Sequence, residues 1–181
     1  MTLREEASFD LAVRLRQEGA PIGEVFSFIS GLYFRGKIAY SERFGAPPRD
    51  LPAAMVITPD RGLLPPATRM TIDDLRASAE VSIDLREPRF LAPFERDARL
   101  LASQSGPDCD IILLGSVATA KYVEPLLAVF GDRLLFPAEF AGRGDMSRGG
   151  LMLRCARDGA ELNYVAVRGA PRHGPRPPKL G

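Results

Sequence analysis

The stretch G-R-G-D-M-S-R-G-G at residues 142–150 concentrates side chains that bind anions. Arg143 and Arg148 can form a bidentate clamp on a phosphate or a carboxylate. Asp145, between them, can orient a guanidinium or act as a base, and Ser147 can donate a hydrogen bond to a ligand. In the alternative interpretation, Asp145 or Ser147 caps the helix that follows and both arginines are solvated.

A second stretch, G-L-Y-F-R-G-K-I at residues 31–38, fits the phosphate-binding pattern G-x-x-x-x-G-K-[ST] except at its last position. The bulky side chains between the glycines favour a helix packed on a core over a loop wrapped around a phosphate. Ile38 also lacks the hydroxyl that would hold magnesium. We therefore interpret the stretch as a helix whose Tyr33, Arg35 and Lys37 reach toward a neighbouring pocket.

Two further glycine-containing loops contribute Arg61 and Tyr122 to the candidate ligand-binding residues. Tyr122 and Tyr33 can stack on a ring of a ligand, although such aromatic residues are more often part of a core. Glu139, which follows Pro137, is a candidate acid or base beside Asp145, because a carboxyl group next to a buried strand can have a raised pKa. Glu139 can equally form an ordinary surface ion pair.

The elements that must position these residues are predicted from the apolar pattern. Helices are predicted over residues 3–18, 32–44, 71–85, 90–103, 119–130 and 147–157, and strands over residues 24–29, 53–58, 110–114, 133–136 and 162–167. Because strands and helices alternate, we predict an α/β fold with a mostly parallel sheet and helices on both faces. The four loops would then meet beyond the carboxyl ends of the strands.

Length and composition favour a single domain over residues 1–167 and a Pro-rich basic tail over residues 168–181. The net charge of +1 argues against a global attraction to nucleic acid, although residues 115–181 hold 10 basic and 6 acidic side chains. No metal site or cofactor is predicted, since His173 is the only histidine and the two cysteines are not closely spaced. No apolar stretch is long enough to span a membrane, so we expect a cytoplasmic protein.

Several motifs resemble, in order and rough spacing, those of the YaaA-like peroxide-stress proteins and their small relatives. The similar segments are F-I-S-G-L-Y-F-R-G-K-I-A-Y, V-I-T-P-D-R-G-L-L-P-P, K-Y-V-E-P-L-L and F-P-A-E-F-A-G-R-G-D-M, within residues 26–146. The matching positions are Tyr33, Lys37, Tyr40, Gly62, Leu63 and Tyr122. The resemblance implies DNA binding, while the arginine-rich loop at residues 142–150 departs from the family pattern.

These observations lead to a first hypothesis and two rivals. The first is a nucleotide- or nucleic-acid-related protein that holds a phosphate-bearing ligand and acts on a base or a glycosidic bond through Asp145 or Glu139. The second is a non-catalytic protein-interaction module. The third, hydrolysis of a small ester by Ser30, Ser116 or Ser147, lacks a histidine to activate the serine.

Overall fold

A computed structural model describes residues 9–170 of the chain. The first part of the helix predicted over residues 3–18, nearly all of the basic tail and His173 lie outside the described residues. Seven α-helices are present in the described range. They are α1 (Asp10–Gln17), α2 (Ile22–Ser30), α3 (Leu32–Phe44), α4 (Ile72–Ala79), α5 (Pro88–Ser105), α6 (Ala120–Phe130) and α7 (Asp145–Asp158).

The strands of the described residues are short and form three small sheets. They are β1 (Ala20–Pro21), β2 (Val56–Ile57), β3 (Leu63–Leu64), β4 (Arg69–Met70), β5 (Ile111–Ile112), β6 (Leu134–Pro137) and β7 (Tyr164–Ala166). The pairs β1–β4 and β2–β3 are antiparallel. In the three-stranded sheet β5 pairs parallel with β6, and β7 pairs antiparallel with β6.

The predicted mostly parallel sheet is therefore wrong. Residues 9–170 are 54% helical, and the sheets that they form have only two or three strands. Residues 24–29 belong to α2 and not to a strand, because Ile22 and Val25 lie one turn apart and both are buried. The predicted strand over residues 53–58 is reduced to β2, whose chain turns back into β3 as a hairpin.

The β2–β3 turn shows why a crossover does not follow β2. The Thr58 hydroxyl donates a hydrogen bond to the Gly62 carbonyl oxygen at 2.9 Å, and its oxygen accepts one from the Arg61 amide at 3.0 Å. Gly62 has a φ of +69°, where a side chain would be strained. The next amide, that of Leu63, donates to the Asp97 carboxylate of α5 at 3.0 Å. The turn is thus closed on itself and anchored to a helix.

Two clusters of buried side chains form the core. The larger one joins α3, α5, α6, α7 and the three-stranded sheet around Phe90, Phe94, Phe136 and Phe140. The smaller one joins α1, α2 and α4 through side chains such as Leu15, which is fully buried. Burial of one large apolar side chain contributes about 1.5–3 kcal/mol, so the packing of helices supplies most of the stability.

Helices α3 and α7 cross at two glycines. A Cβ atom placed on Gly36 would lie 2.7 Å from the Gly149 carbonyl oxygen, and one placed on Gly149 would lie 2.7 Å from the Leu32 carbonyl oxygen. Such distances leave no room for a side chain. Gly36 therefore brings two helices together, while Gly31, with a φ of +59°, joins α2 to α3.

The helix that was predicted to begin at Thr71 does begin there. The Thr71 hydroxyl accepts a hydrogen bond from the Asp74 amide, and the Asp74 carboxylate accepts one from the Thr71 amide at 2.7 Å. This reciprocal pair is the capping box that the sequence indicates. None of the helices between residues 9 and 170 combines the length and the apolar character needed to cross a membrane.

Candidate functional site

A cavity of about 510 Å³ lies beside α3, beneath the segment of residues 44–57. Its other walls come from the carboxyl end of β5, the first turn of α6 and the amino end of α7. Four of the residues predicted to form the site line this cavity, namely Tyr33, Lys37, Tyr122 and Asp145. The fold thus brings together side chains from three separate predicted loops, without the parallel sheet that was expected to do so.

Among the described residues that line the cavity, Lys37 is the only cation. Its ammonium nitrogen lies 4.0 Å from the centroid of the Tyr33 ring, a cation–π distance. Within residues 9–170 no side chain or backbone group forms a hydrogen bond or an ion pair with the Lys37 ammonium group. Burial lowers the pKa of Lys37 to about 8, while Asp145 raises it and Arg148 lowers it.

Tyr33 holds α3 against the end of the parallel strand pair. Its hydroxyl donates a hydrogen bond to the Leu114 carbonyl oxygen at 3.1 Å. Leu114 is followed by Gly115 and Ser116, which also line the cavity. Burial raises the pKa of Tyr33, so its hydroxyl keeps its proton and remains a donor at neutral pH.

Two helices begin near this end of the cavity. Thr119 precedes α6 and Gly144 precedes α7, and neither helix has a side chain that caps its first amides. The first turns contribute Tyr122 and Asp145 to the wall. Uncapped amides and the helix dipole favour a negative charge at such a place.

A chain of hydrogen bonds crosses another part of the wall. Tyr164 donates to the Glu161 carboxylate at 2.8 Å, so the 2.7 Å contact between the Tyr40 and Tyr164 hydroxyls has Tyr40 as its donor. The Tyr40 oxygen accepts from the Leu162 amide at 2.9 Å. Burial, Tyr40 and Glu161 together raise the pKa of Tyr164.

This tyrosine chain was missed by sequence reasoning. Tyr40 entered only through the family resemblance, and Tyr164 and Glu161 were not considered. The strand predicted over residues 162–167 is present as the shorter β7, which pairs with β6. The hydrogen bond between Tyr164 of β7 and Tyr40 of α3 joins residues 124 positions apart in the chain. Nothing in the local sequence indicates such a contact.

The two arginines of residues 142–150 bind backbone carbonyl groups. Arg148 is buried, and its Nε and Nη2 donate to the Phe140 carbonyl oxygen at 3.3 and 3.1 Å. Arg143 donates to the Glu139 carbonyl oxygen at 2.9 Å and to the Ser147 hydroxyl at 3.2 Å. Neither arginine lines the cavity, although Arg148 acts on the pKa values of Tyr33 and Lys37.

The remaining candidates lie elsewhere. Arg61 is 3.5 Å from the Asp74 carboxylate of α4, and its buried Nε and Nη2 have no hydrogen-bond partner within the described range of residues. Arg35 is exposed on α3. Glu139 accepts hydrogen bonds from the backbone and side chain of Asn163, at 3.4 and 3.2 Å. None of these three residues lines the cavity, so the expected meeting of Lys37 with Arg61 does not occur.

Charge is distributed unevenly along the cavity. Asp110 precedes β5, whereas Leu114 and Lys37 lie near its carboxyl end. The other carboxylates of the wall belong to Asp145 and Glu161, and of the three it is Asp145 that raises the pKa of Lys37. The wall between these ends is largely apolar and includes Phe44, Met55, Leu101 and Leu126.

The comparisons with known proteins return no match. No protein-family model, no curated protein and no solved structure is similar to this chain. The resemblance to the YaaA-like proteins therefore stays an expectation from the sequence. Between residues 9 and 170, no group of three or more His, Cys, Asp or Glu side chains is arranged to hold a metal ion.

Proposed function

We propose that this protein binds a small phosphate-bearing molecule with an apolar or aromatic body in the cavity beside α3. The observation that carries the proposal is the unpaired Lys37 amine on the cavity wall. Placing an ammonium group there without a carboxylate partner has a cost in solvation. An anionic ligand would remove that cost.

The surroundings of Lys37 support an anion at the same end. The uncapped starts of α6 and α7 present amide groups, and Gly115 allows the backbone to approach a ligand closely. Asp145, whose side chain is 68% exposed, lies 3.7 Å from the Arg148 guanidinium and forms its ion pair there and not with the amine. A phosphate would therefore contact Lys37 and backbone amides, with no buried guanidinium involved.

The apolar part of the cavity sets the size and character of the rest of the ligand. A volume of about 510 Å³ falls within the range of small-molecule sites, about 300–1,000 Å³. The rings of Tyr33 and Tyr122 offer faces for stacking. A nucleoside monophosphate is the simplest ligand of this kind.

In this proposal Asp145, and not Glu139, is the catalytic group. Asp145 lines the cavity, whereas Glu139 is directed toward Asn163. To act on a base or a glycosidic bond, Asp145 would have to lie within hydrogen-bond reach of the reacting atoms of the bound ligand.

The first experiment is a thermal-shift screen with nucleoside monophosphates, the corresponding nucleosides, sugar phosphates and a short DNA duplex. Because a ligand that binds only the folded state raises Tm, we expect the phosphorylated compounds to stabilise the protein more than their dephosphorylated partners. The expected stabilisation at a ligand concentration of 100 Kd is about 2.7 kcal/mol.

The rival interpretation predicts a different pattern. A protein-interaction module would show no shift with any small molecule. A shift with DNA alone would favour the nucleic-acid interface that the family resemblance implies. Equal Tm shifts for each nucleotide and its nucleoside would indicate binding in the apolar part of the cavity. They would contradict a role of Lys37 in binding the phosphate.

A further inference from the structure

The use of lysine in this chain is restricted. Of 24 basic residues only three are lysines, Lys37, Lys121 and Lys179. Lys37 is the one that lines the cavity. An arginine in its place would bind a phosphate at least as well, because its planar group forms paired hydrogen bonds. A neutral amine, unlike a guanidinium, is a good nucleophile.

We propose that Lys37 forms a reversible imine with a carbonyl group of its ligand, so that the ligand class is a phosphorylated aldehyde or ketone. This inference rests on the proposed function: the amides at the uncapped starts of α6 and α7 would hold the phosphate, and the neutral form of Lys37 would react with the carbonyl group of the same ligand. It adds a covalent step that phosphate binding alone does not require.

The step balances without a redox partner. The lone pair of the neutral Nζ attacks the carbonyl carbon, the C=O π bond breaks as a C–N bond forms, and one Nζ proton passes to the oxygen to give a carbinolamine. The nitrogen lone pair then forms a C=N double bond as the C–O bond breaks, and the hydroxyl leaves as water with the second Nζ proton. Both protons can exchange with water at the exposed Asp145 side of the cavity. The reverse reaction consumes one water and frees the ligand.

The setting of Lys37 favours this chemistry in three ways. A pKa lowered to about 8 makes a substantial fraction of the amine neutral near that pH. No ion pair holds the amine away from an incoming carbonyl group within the described part of the chain. The ring faces of Tyr33 and Phe34, at 4.0 and 5.9 Å from Nζ, stabilise the positive charge of a protonated imine.

The test uses pyridoxal phosphate, an aromatic aldehyde with a phosphate group, as the probe. The full-length chain is incubated with the probe at pH 8, reduced with borohydride and mapped by peptide mass spectrometry. Adducts at Lys37, Lys121, Lys179 and the terminal amine are quantified separately. We expect Lys37 to carry most of the adduct at substoichiometric probe, and Lys37→Arg to lose it while Lys121→Arg retains it.

Pyridoxine phosphate separates this inference from the proposed function, because it has an alcohol in place of the aldehyde. If it raises Tm and competes with other phosphates, but the aldehyde labels the three lysines equally, the imine is ruled out and phosphate binding stands. If neither compound raises Tm and labelling is equal, both proposals fail. Selective labelling of Lys37 that pyridoxine phosphate suppresses supports both.

Discussion

Gly36 of α3 and Gly149 of α7 lie in direct backbone contact, and this contact sets how the two helices cross. The Gly149 carbonyl oxygen occupies the place of a Gly36 side chain, at 2.7 Å from an ideal Cβ. The same crossing positions Tyr33 and Lys37 beside the amino end of α7. Gly36, which matches a position of the phosphate-binding pattern, therefore allows two helices to pack closely, and Lys37 beside it lines the cavity.

Gly36→Ala is expected to destabilise the protein by about 1–3 kcal/mol, because backbone atoms of α7 cannot move aside without separating the helices. Urea denaturation monitored by circular dichroism measures the change. The matched control is Gly150→Ala in α7, where the nearest atom to the new Cβ is Arg154 Nη1 at 3.8 Å. That control should be neutral or stabilising by up to about 1 kcal/mol, owing to the higher helix propensity of alanine. Equal effects of the two substitutions would contradict the crossing.

Tyr40→Phe tests the tyrosine chain. It removes the acceptor of the Leu162 amide and the donor to Tyr164, and leaves a buried amide unpaired. The expected loss of stability is about 1–3 kcal/mol. Tyr122→Phe is the control, since the Tyr122 hydroxyl has no hydrogen-bond partner among residues 9–170. It should change the free energy of unfolding by less than about 0.5 kcal/mol, and a comparable loss in both variants would count against the chain.

Arg148→Met tests whether the buried arginine of α7 is structural. The substitution removes two hydrogen bonds to the Phe140 carbonyl oxygen, so we expect a loss of about 1–3 kcal/mol in a urea titration. Arg157→Met, later in the same helix, breaks only an exposed ion pair with Asp158 and should leave the urea midpoint nearly unchanged. A stable Arg148→Met protein with lost phosphate binding would instead restore the arginine clamp predicted from the sequence.

Lys37→Met tests whether burial of the charged Lys37 amine destabilises the folded state. The test compares the pH dependence of the free energy of unfolding in the variant and the wild type. Because the folded-state pKa is about 8 and the ordinary value is 10.5, the unfolded chain binds more protons between these pH values. The burial penalty of the charged amine is therefore fully present below pH 8, where both states are protonated, and it is relieved as pH rises from 8 to 10.5. Lys37→Met should be more stable than the wild type at pH 7, with a smaller difference at pH 10.

Denaturation at the two pH values measures that difference. Arg35→Met, on the exposed face of the same helix, is the control and should follow the wild-type pH dependence. A difference between Lys37→Met and the wild type that stays constant from pH 7 to pH 10 would show that the amine is not strained by burial.

Local signals in the sequence were informative about individual elements. The helix beginning after Thr71 follows from a capping box, and the helix predicted over residues 32–44 has the bounds of α3. The sheet could not be predicted in the same way. Residues 24–29 are rich in β-formers, but Val25 is buried together with Ile22, one helical turn earlier, in the cluster that α2 shares with α1 and α4. Tertiary packing overrides such propensities.

The site was predictable only where helix geometry fixes it. Tyr33 and Lys37 are four positions apart and so share one face of α3, while Arg35 points away. Arg143 and Arg148 donate to the backbone carbonyl oxygens of Glu139 and Phe140, in the turn after β6, and no pattern of side chains in the sequence reveals such contacts. The pairing of Arg61 with Asp74 likewise joins a turn to a distant helix.

Isothermal titration with a nucleoside monophosphate or sugar phosphate selected by thermal shift tests the central claim most directly. We expect saturable binding to the wild type at pH 7. Lys37→Met should lose affinity by roughly tenfold or more, because one charge-assisted contact is removed. Arg35→Met should bind with the wild-type affinity. Equal Kd values for the wild type and Lys37→Met would contradict the assignment of the cavity beside α3 as a phosphate-binding site.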